Sequence, residues 1–263
     1  MTAGGPEGWR LDGRVALVTG AQRGIGFACA EAFVAAGARV ACVDLPDSEL
    51  EAAVERLGAA ASAHPADLAV IEQAGALVAD VVARHGRLDV LVGAAGTLAP
   101  APFLELTPEQ WDGTFGVNAR GSLFLAQACA RHFVEAGFAG RIILYASIVG
   151  GRIVRLNNTA YAASKAALIQ AARCMALELA PHGITVNTIS PGSTATEMLV
   201  DVQARGDVES IVRGNAAEWR LGVPLGHLAD PADQAALAVF LAGEGGRHIT
   251  GQDLVVDGGQ TVV

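Results

Sequence analysis

A chain of 263 residues, 52% apolar and 17% charged, is long enough for one large domain and too apolar to be disordered. Its formal charge of −9 argues against a nucleic-acid partner, which would require clustered Lys and Arg, although a pocket can still be locally basic. The cysteines at 29, 42, 129 and 174 form no CxxC pair, so neither a disulfide framework nor a zinc site is indicated.

The opening MTAGGPEGWR reads as a Gly/Pro-rich flexible tail over residues 1–10. It lacks the basic start and apolar stretch of a leader, and no long uncharged apolar run follows, so a cytoplasmic protein is expected. From residue 11 to 263 no repeat or linker divides the chain, and a single domain is expected. Apolar runs at 14–20, 39–44, 62–67, 88–96, 140–147, 184–192 and 253–259 read as strands, separated by alanine-rich segments of helical period. That alternation predicts an α/β fold: a doubly wound, mostly parallel seven-stranded sheet with helices on both faces.

Between the first strand and first helix stands TGAQRGIG, residues 19–26. Glycines at such a junction let a pyrophosphate approach backbone while the helix N-terminus offers free N–H groups, as in a Rossmann fold. Asp44 closes the second strand 18 residues past Gly26, near the offset at which a carboxylate meets an adenosine ribose diol. It favours NAD over NADP, since it would repel a 2′-phosphate; Arg23 in the glycine loop pulls the other way.

Thr107 opens TPEQ, a capping box with proline in the first turn, and the helix it starts is predicted to run past Gly121. Gly37 and Gly183 sit where helices should end before strands. Farther on, Tyr161 and Lys165 lie four apart in an alanine-rich helix, so phenol and ammonium share one face. A cation beside a phenol stabilises phenolate and makes it a usable base near neutral pH. Tyr145, the other tyrosine, lies inside a strand and reads as packing. The segment 197–221 breaks the alternation and reads as a helical insertion or lid over the site. The six histidines are dispersed along the sequence without ligand spacing, and metal-independent chemistry is expected.

From Gly13 to Thr261 these motifs, in this order, resemble the short-chain dehydrogenases/reductases. The resemblance implies an NAD(P)-dependent oxidoreductase acting on CH–OH groups, with Asn118, Ser147, Tyr161 and Lys165 catalytic. It implies cofactor contacts from Gly20, Gln22, Arg23, Gly24, Ile25 and Gly26 in the first loop, and from Asp44 with Leu45 at the second strand. Asp67 and Leu68 would meet the adenine, the GAAG turn of Gly93, Ala94, Ala95 and Gly96 would line the middle, and Pro191, Gly192, Thr194 and Thr196 the nicotinamide end. Lys165 would also hold the nicotinamide ribose, and Asn118 would support a proton-relay water.

The C-terminal third is most similar to members that oxidise a cyclohexadiene diol carboxylate with NAD, whose relatives act on carboxylated or polyhydroxylated rings in secondary metabolism. On that basis Arg155 would pair with a substrate carboxylate, with a surface arginine as the alternative; Asn157, Asn158 and Met198 are further pocket candidates. The family is commonly homotetrameric, which the resemblance extends to this chain. Two departures stand out: Gly93 replaces the family's usual asparagine, and the Ser147 to Tyr161 separation of 14 is one longer than usual, predicting a bulged loop. Two other readings share parts of the pattern: an acyl-carrier-protein ketoreductase using NADPH, and a catalytically inactive NAD-binding regulator.

Overall fold

Runs such as VALVT and RIILY are buried at every position, which only a strand covered on both faces permits. The computed structural model describes residues 7–199, 208–220 and 222–262. Its strands are β1 (Val15–Thr19), β2 (Arg39–Val43), β3 (Ala61–Ala63), β4 (Val90–Gly93), β5 (Arg141–Tyr145), β6 (Thr185–Pro191) and β7 (Asp253–Val256). They form one seven-stranded sheet in the order β3-β2-β1-β4-β5-β6-β7. Every pairing is parallel, so the expected "mostly parallel" sheet is wholly so among the described residues.

The helices are α1 (Gly24–Ala35), α2 (Leu50–Leu57), α3 (Ala74–His85), α4 (Pro108–Phe115), α5 (Ser122–Ala136), α6 (Thr159–Leu179), α7 (Val208–Arg213) and α8 (Pro231–Ala242). One face of the sheet packs around Leu17, Phe133 and Leu168 beneath α3, α5 and α6. The other packs around Val18, Phe33 and Leu241 beneath α1 and α8. The chain leaves β1 outward to β2 and β3, then returns to place β4 on the opposite side of β1. A doubly wound sheet opens a ligand crevice at such a reversal, above the C-terminal strand ends.

Several expectations change in detail. Of the expected tail at 1–10, residues 1–6 lie outside the described residues; Glu7–Trp9 forms a 3-10 turn, the Trp9 ring lies 5.7 Å from that of Phe240, and Arg10 pairs with Asp12. The capping box at Thr107 is present, with Gln110, but the helix does not continue regularly. It widens into a π-type turn at Gly116–Gly121, where a Cβ on Gly121 would lie 2.3 Å from the Leu68 carbonyl oxygen. β3 is shorter than expected, although the amides of His64 and Ala66 continue its bonding to the carbonyls of Cys42 and Asp44.

Two histidines far apart in sequence meet in space. Ser62 Oγ bonds Nε2 of both His64 (2.9 Å) and His85 (2.7 Å), while His64 Nδ1 bonds Asp80 (2.6 Å). The crossover through α3 brings them together, and their nitrogens serve β3 and α3. Of the expected lid at 197–221, residues 200–207 and 221 lie outside the described residues; α7 and a 3-10 turn at Ala216–Glu218 belong to the rest.

Candidate active site

The glycine loop is shaped by contacts that leave no room for side chains. Gly20 has φ 67°, and a Cβ there would lie 3.0 Å from Ala95 backbone; one on Gly26 would lie 2.0 Å from the Gly20 carbonyl oxygen. No side chain caps the first turn of α1, whose N-cap is Arg23, so this positive helix end suits an anionic group. The cradle fits a dinucleotide pyrophosphate. Asp44 stands at the end of β2, its carboxylate accepting from the amides of Gln22 (3.0 Å) and Leu45 (2.9 Å). Those bonds fix its orientation toward the loop and leave lone pairs for a diol. Arg23 is exposed, and Asp67 closes a local turn by accepting from the Ala69 amide at 2.9 Å.

Thr19, the last residue of β1, reaches across to β4: its hydroxyl accepts from the amides of Ala94 and Ala95, both at 3.1 Å. Gly93 has no positive φ; a Cβ there would instead lie 2.7 Å from Leu144 Cδ2. The leucine fills the space that a side chain at 93 would need, and Thr19 ties the turn.

Asn118, fully buried in the π-type turn, spends its amide on structure. Its Oδ1 accepts from the Thr97 amide (2.8 Å), and its Nδ2 donates to the Thr97 carbonyl (2.9 Å) and Ser164 Oγ (3.1 Å). Ser164 in turn donates to the Tyr161 carbonyl at 2.8 Å. The side chain is thus a brace between the GAAG turn and α6.

Lys165 is buried and points at the end of β5, where Nζ donates to the Tyr145 carbonyl at 2.7 Å. Gly96 and Gly150 close over it: a Cβ on Gly96 would lie 3.5 Å from Nζ, and one on Gly150 2.9 Å from the lysine's own Cβ. Desolvation lowers the lysine's pKa from 10.5 to about 8.

Tyr161 lies half-buried one turn away, its ring centroid 5.8 Å from Nζ. Burial holds the phenol above its ordinary value of 10.0, while a hydrogen bond with Ser147 and the charge of Arg155 pull it down. The sequence expectation gave that pull to Lys165; here the lysine's shortest polar contact is a carbonyl, and the guanidinium supplies charge to the phenol. Ser147, buried just after β5, also accepts from the Val149 amide at 3.3 Å, so the lengthened loop turns tightly through Ile148–Gly150.

Arg155 is not a surface arginine. It is half-buried and donates through Nη2 to Ser193 Oγ (3.1 Å), and its buried Nε has no hydrogen-bond partner among the described residues. Desolvation and the neighbouring Arg220 charge both lower its pKa. Asn157 adopts φ 62° and accepts from the Ala101 amide (2.9 Å); Asn158 precedes α6 without a side-chain cap bond, and Met198 is 37% exposed.

The segment after β6 lies against the glycine loop, since a Cβ on Gly24 would lie 3.4 Å from Thr196 Cγ2. Pro191 and Thr194 are buried, and Gly192 accommodates Asp257, whose Cα would lie 2.6 Å from a Cβ at that position. Contacts thus link the glycine loop to the GAAG turn through Thr19, that turn to α6 through Asn118 and Ser164, and the segment after β6 to Arg155 through Ser193. Sequence reading missed Thr19, Ser164, Ser193, Arg220 and Gln234; only Thr19, beside the first loop glycine, carried a positional signal.

The family profile described as Enoyl-(Acyl carrier protein) reductase matches residues 20–261. Among curated proteins, the chain is 35% identical to the 2,3-dihydro-2,3-dihydroxybenzoate dehydrogenase of Bacillus subtilis (strain 168), covering 96% of this chain and 97% of the relative. It is 39% identical to the D-threitol dehydrogenase of Mycolicibacterium smegmatis, covering 97% and 95%. A short-chain type dehydrogenase/reductase from Mycobacterium marinum superposes with TM-score 0.88 at 32% identity, covering 98% of this chain and 99% of that one. A candidate NAD(P) dependent gluconate 5-dehydrogenase from Beutenbergia cavernae, with NADP bound at low occupancy, gives TM-score 0.86 at 35% identity over 97% and 100%. The chain belongs to the short-chain dehydrogenase/reductase family. It is an oxidoreductase of secondary alcohols that uses a nicotinamide cofactor.

The depressed lysine pKa makes stability depend on pH in a defined direction. Below about pH 8 Lys165 is charged in both folded and unfolded chains, and the folded state carries its desolvation cost. Between about 8 and the ordinary 10.5 only the unfolded chain holds the proton, so folding becomes more favourable as pH rises. Urea unfolding of wild type and Lys165→Met across that window should show the difference shifting toward wild type. A pH-independent difference would contradict a desolvated ammonium.

Proposed function

We propose that this chain is an NAD-dependent dehydrogenase of a small cyclic secondary alcohol bearing a carboxylate, of the dihydrodiol-carboxylate type found in secondary metabolism. The observation that carries the reading is Arg155, whose half-buried guanidinium keeps one buried N–H without a partner among the described residues and acts on Tyr161. A guanidinium with a spare donor suits the paired oxygens of a carboxylate. The similarity to a dihydrodiol-carboxylate dehydrogenase supports the same class, and that to a polyol dehydrogenase supports a polyhydroxylated one.

In the proposed reaction, the substrate carboxylate binds Arg155 and the reacting hydroxyl meets Ser147 and Tyr161. Tyr161 takes the hydroxyl proton at Oη, aided by the Ser147 hydrogen bond and the Arg155 charge. The cofactor, when bound, supplies hydride transfer. Lys165, fixed by the Tyr145 carbonyl, orients the ribose side of the site, and Asn118 holds the GAAG turn against α6. The anchored carboxylate of Asp44 supports NAD, whereas the NADP seen in the Beutenbergia cavernae relative keeps the phosphorylated cofactor as the alternative. A single catalytic domain from residue 11 onward, a cytoplasmic location and a homotetramer complete the reading; exposed Phe124 on α5 and Leu177 on α6 support the assembly.

Nicotinamide absorbance should be followed with NAD and NADP against carboxylated and uncharged cyclic alcohols. NAD with a carboxylated ring is expected to turn over fastest. Arg155→Ala should raise KM for that substrate on the order of 10- to 100-fold while affecting the neutral analogue far less. Equal effects on both would remove the carboxylate from the reading. Tyr161→Phe should lower kcat about 100- to 10,000-fold with NADH binding retained, and unchanged turnover would overturn the proton-transfer assignment.

A further inference from the structure

We infer that Gln234 is a positioning residue for the nicotinamide end of the site, acting through Thr194. Gln234 lies in the first turn of α8 and is fully buried, on a helix whose Ala235, Ala238 and Val239 belong to the apolar core, and its Oε1 has no hydrogen-bond partner among the described residues. A primary amide there is costly unless its bonds do something that an aliphatic side chain could not. Helix capping is not its task, because Asp230 and Asp233 already form the capping box of α8.

Its bonds run to the site. Nε2 donates to Thr194 Oγ1 (3.2 Å) and to the Val256 carbonyl (3.0 Å). The carbonyl can only accept, which settles which end of the amide faces Thr194. Thr194 Oγ1 in turn donates to the Gly192 carbonyl (3.2 Å), so the hydroxyl is held from both sides. The main chain of Gln234 serves the other half of the site: its carbonyl accepts from the Tyr145 phenol (2.8 Å), and the Tyr145 carbonyl accepts from Lys165 (2.7 Å). One buried residue thus ties the segment after β6 to the strand end that orients the lysine. Tyr145 is correspondingly more than packing, since its phenol also contacts Cys29 Sγ at 3.2 Å.

The inference rests on the reading that Thr194 lies at the nicotinamide end, so its test separates the two. NADH and ADP-ribose, which share everything except the nicotinamide, would be titrated into wild type, Thr194→Val, Gln234→Leu and the double variant. Should the enzyme take NADP, NADPH and 2′-phospho-ADP-ribose replace them.

Each single variant is expected to raise the NADH Kd about fivefold, the scale of one net hydrogen bond, with ADP-ribose within about twofold of wild type. The double variant should be no weaker than the worse single variant, because both remove the same bond. If Thr194→Val leaves NADH binding unchanged, the placement of Thr194 fails and the inference fails with it. If Thr194→Val weakens NADH and Gln234→Leu does not, the inference alone is overturned. Equal weakening of NADH and ADP-ribose by Gln234→Leu would mark a purely structural residue. Gln234→Met replaces the leucine variant if that fails to fold, and failure of both to fold would also overturn the inference.

Discussion

An ammonium group buried at the C-terminal end of a parallel sheet is the constraint on which the rest of the site depends. Among the described residues Lys165 has one hydrogen-bond partner, the Tyr145 carbonyl, which supplies a partial charge but not a counterion. Its surroundings are arranged to keep that geometry. Gly96 and Gly150 bring backbone against it, Asn118 and Ser164 lock its helix to the neighbouring turn, and the Tyr145 phenol anchors the accepting strand to α8. Close packing here does electrostatic service, because any loosening would admit a different orientation of the charge.

The neighbouring charges divide the work by distance and burial. The Lys165 ammonium, 5.8 Å from the Tyr161 ring centroid, donates to a carbonyl, while the Arg155 guanidinium acts on the phenol through space. The acidity of the phenol is consequently tied to the charge on Arg155. An anion that neutralised the guanidinium would also weaken its pull on the phenol, so bound charge and phenol acidity are not independent here.

Much of this was legible in the sequence, for identifiable reasons. Strands β1, β4 and β5 are continuous apolar runs because both faces are covered, and Tyr161 and Lys165 share a face because helical spacing dictates it. What escaped were interactions whose partners are distant in the chain. Nothing local in GVNARG announces that the helix must widen where Gly121 meets Leu68, and nothing in PGST or PADQ links Gln234 to Thr194. Arg155 was ambiguous because its burial depends on Ser193, 38 residues away. The two histidines on Ser62 were read as dispersed for the same reason: a βαβ crossover makes neighbours of residues that spacing alone keeps apart.

The contact between Gly93 and Leu144 couples what each position can carry. Register places these residues side by side on β4 and β5, and the leucine methyl occupies the volume that a side chain at 93 would claim. A side chain at 93 therefore requires the far end of Leu144 to swing aside, which makes the two positions one packing unit across the strand pair. Thr19, whose hydroxyl accepts from the amides of Ala94 and Ala95, ties the turn without drawing on that contact.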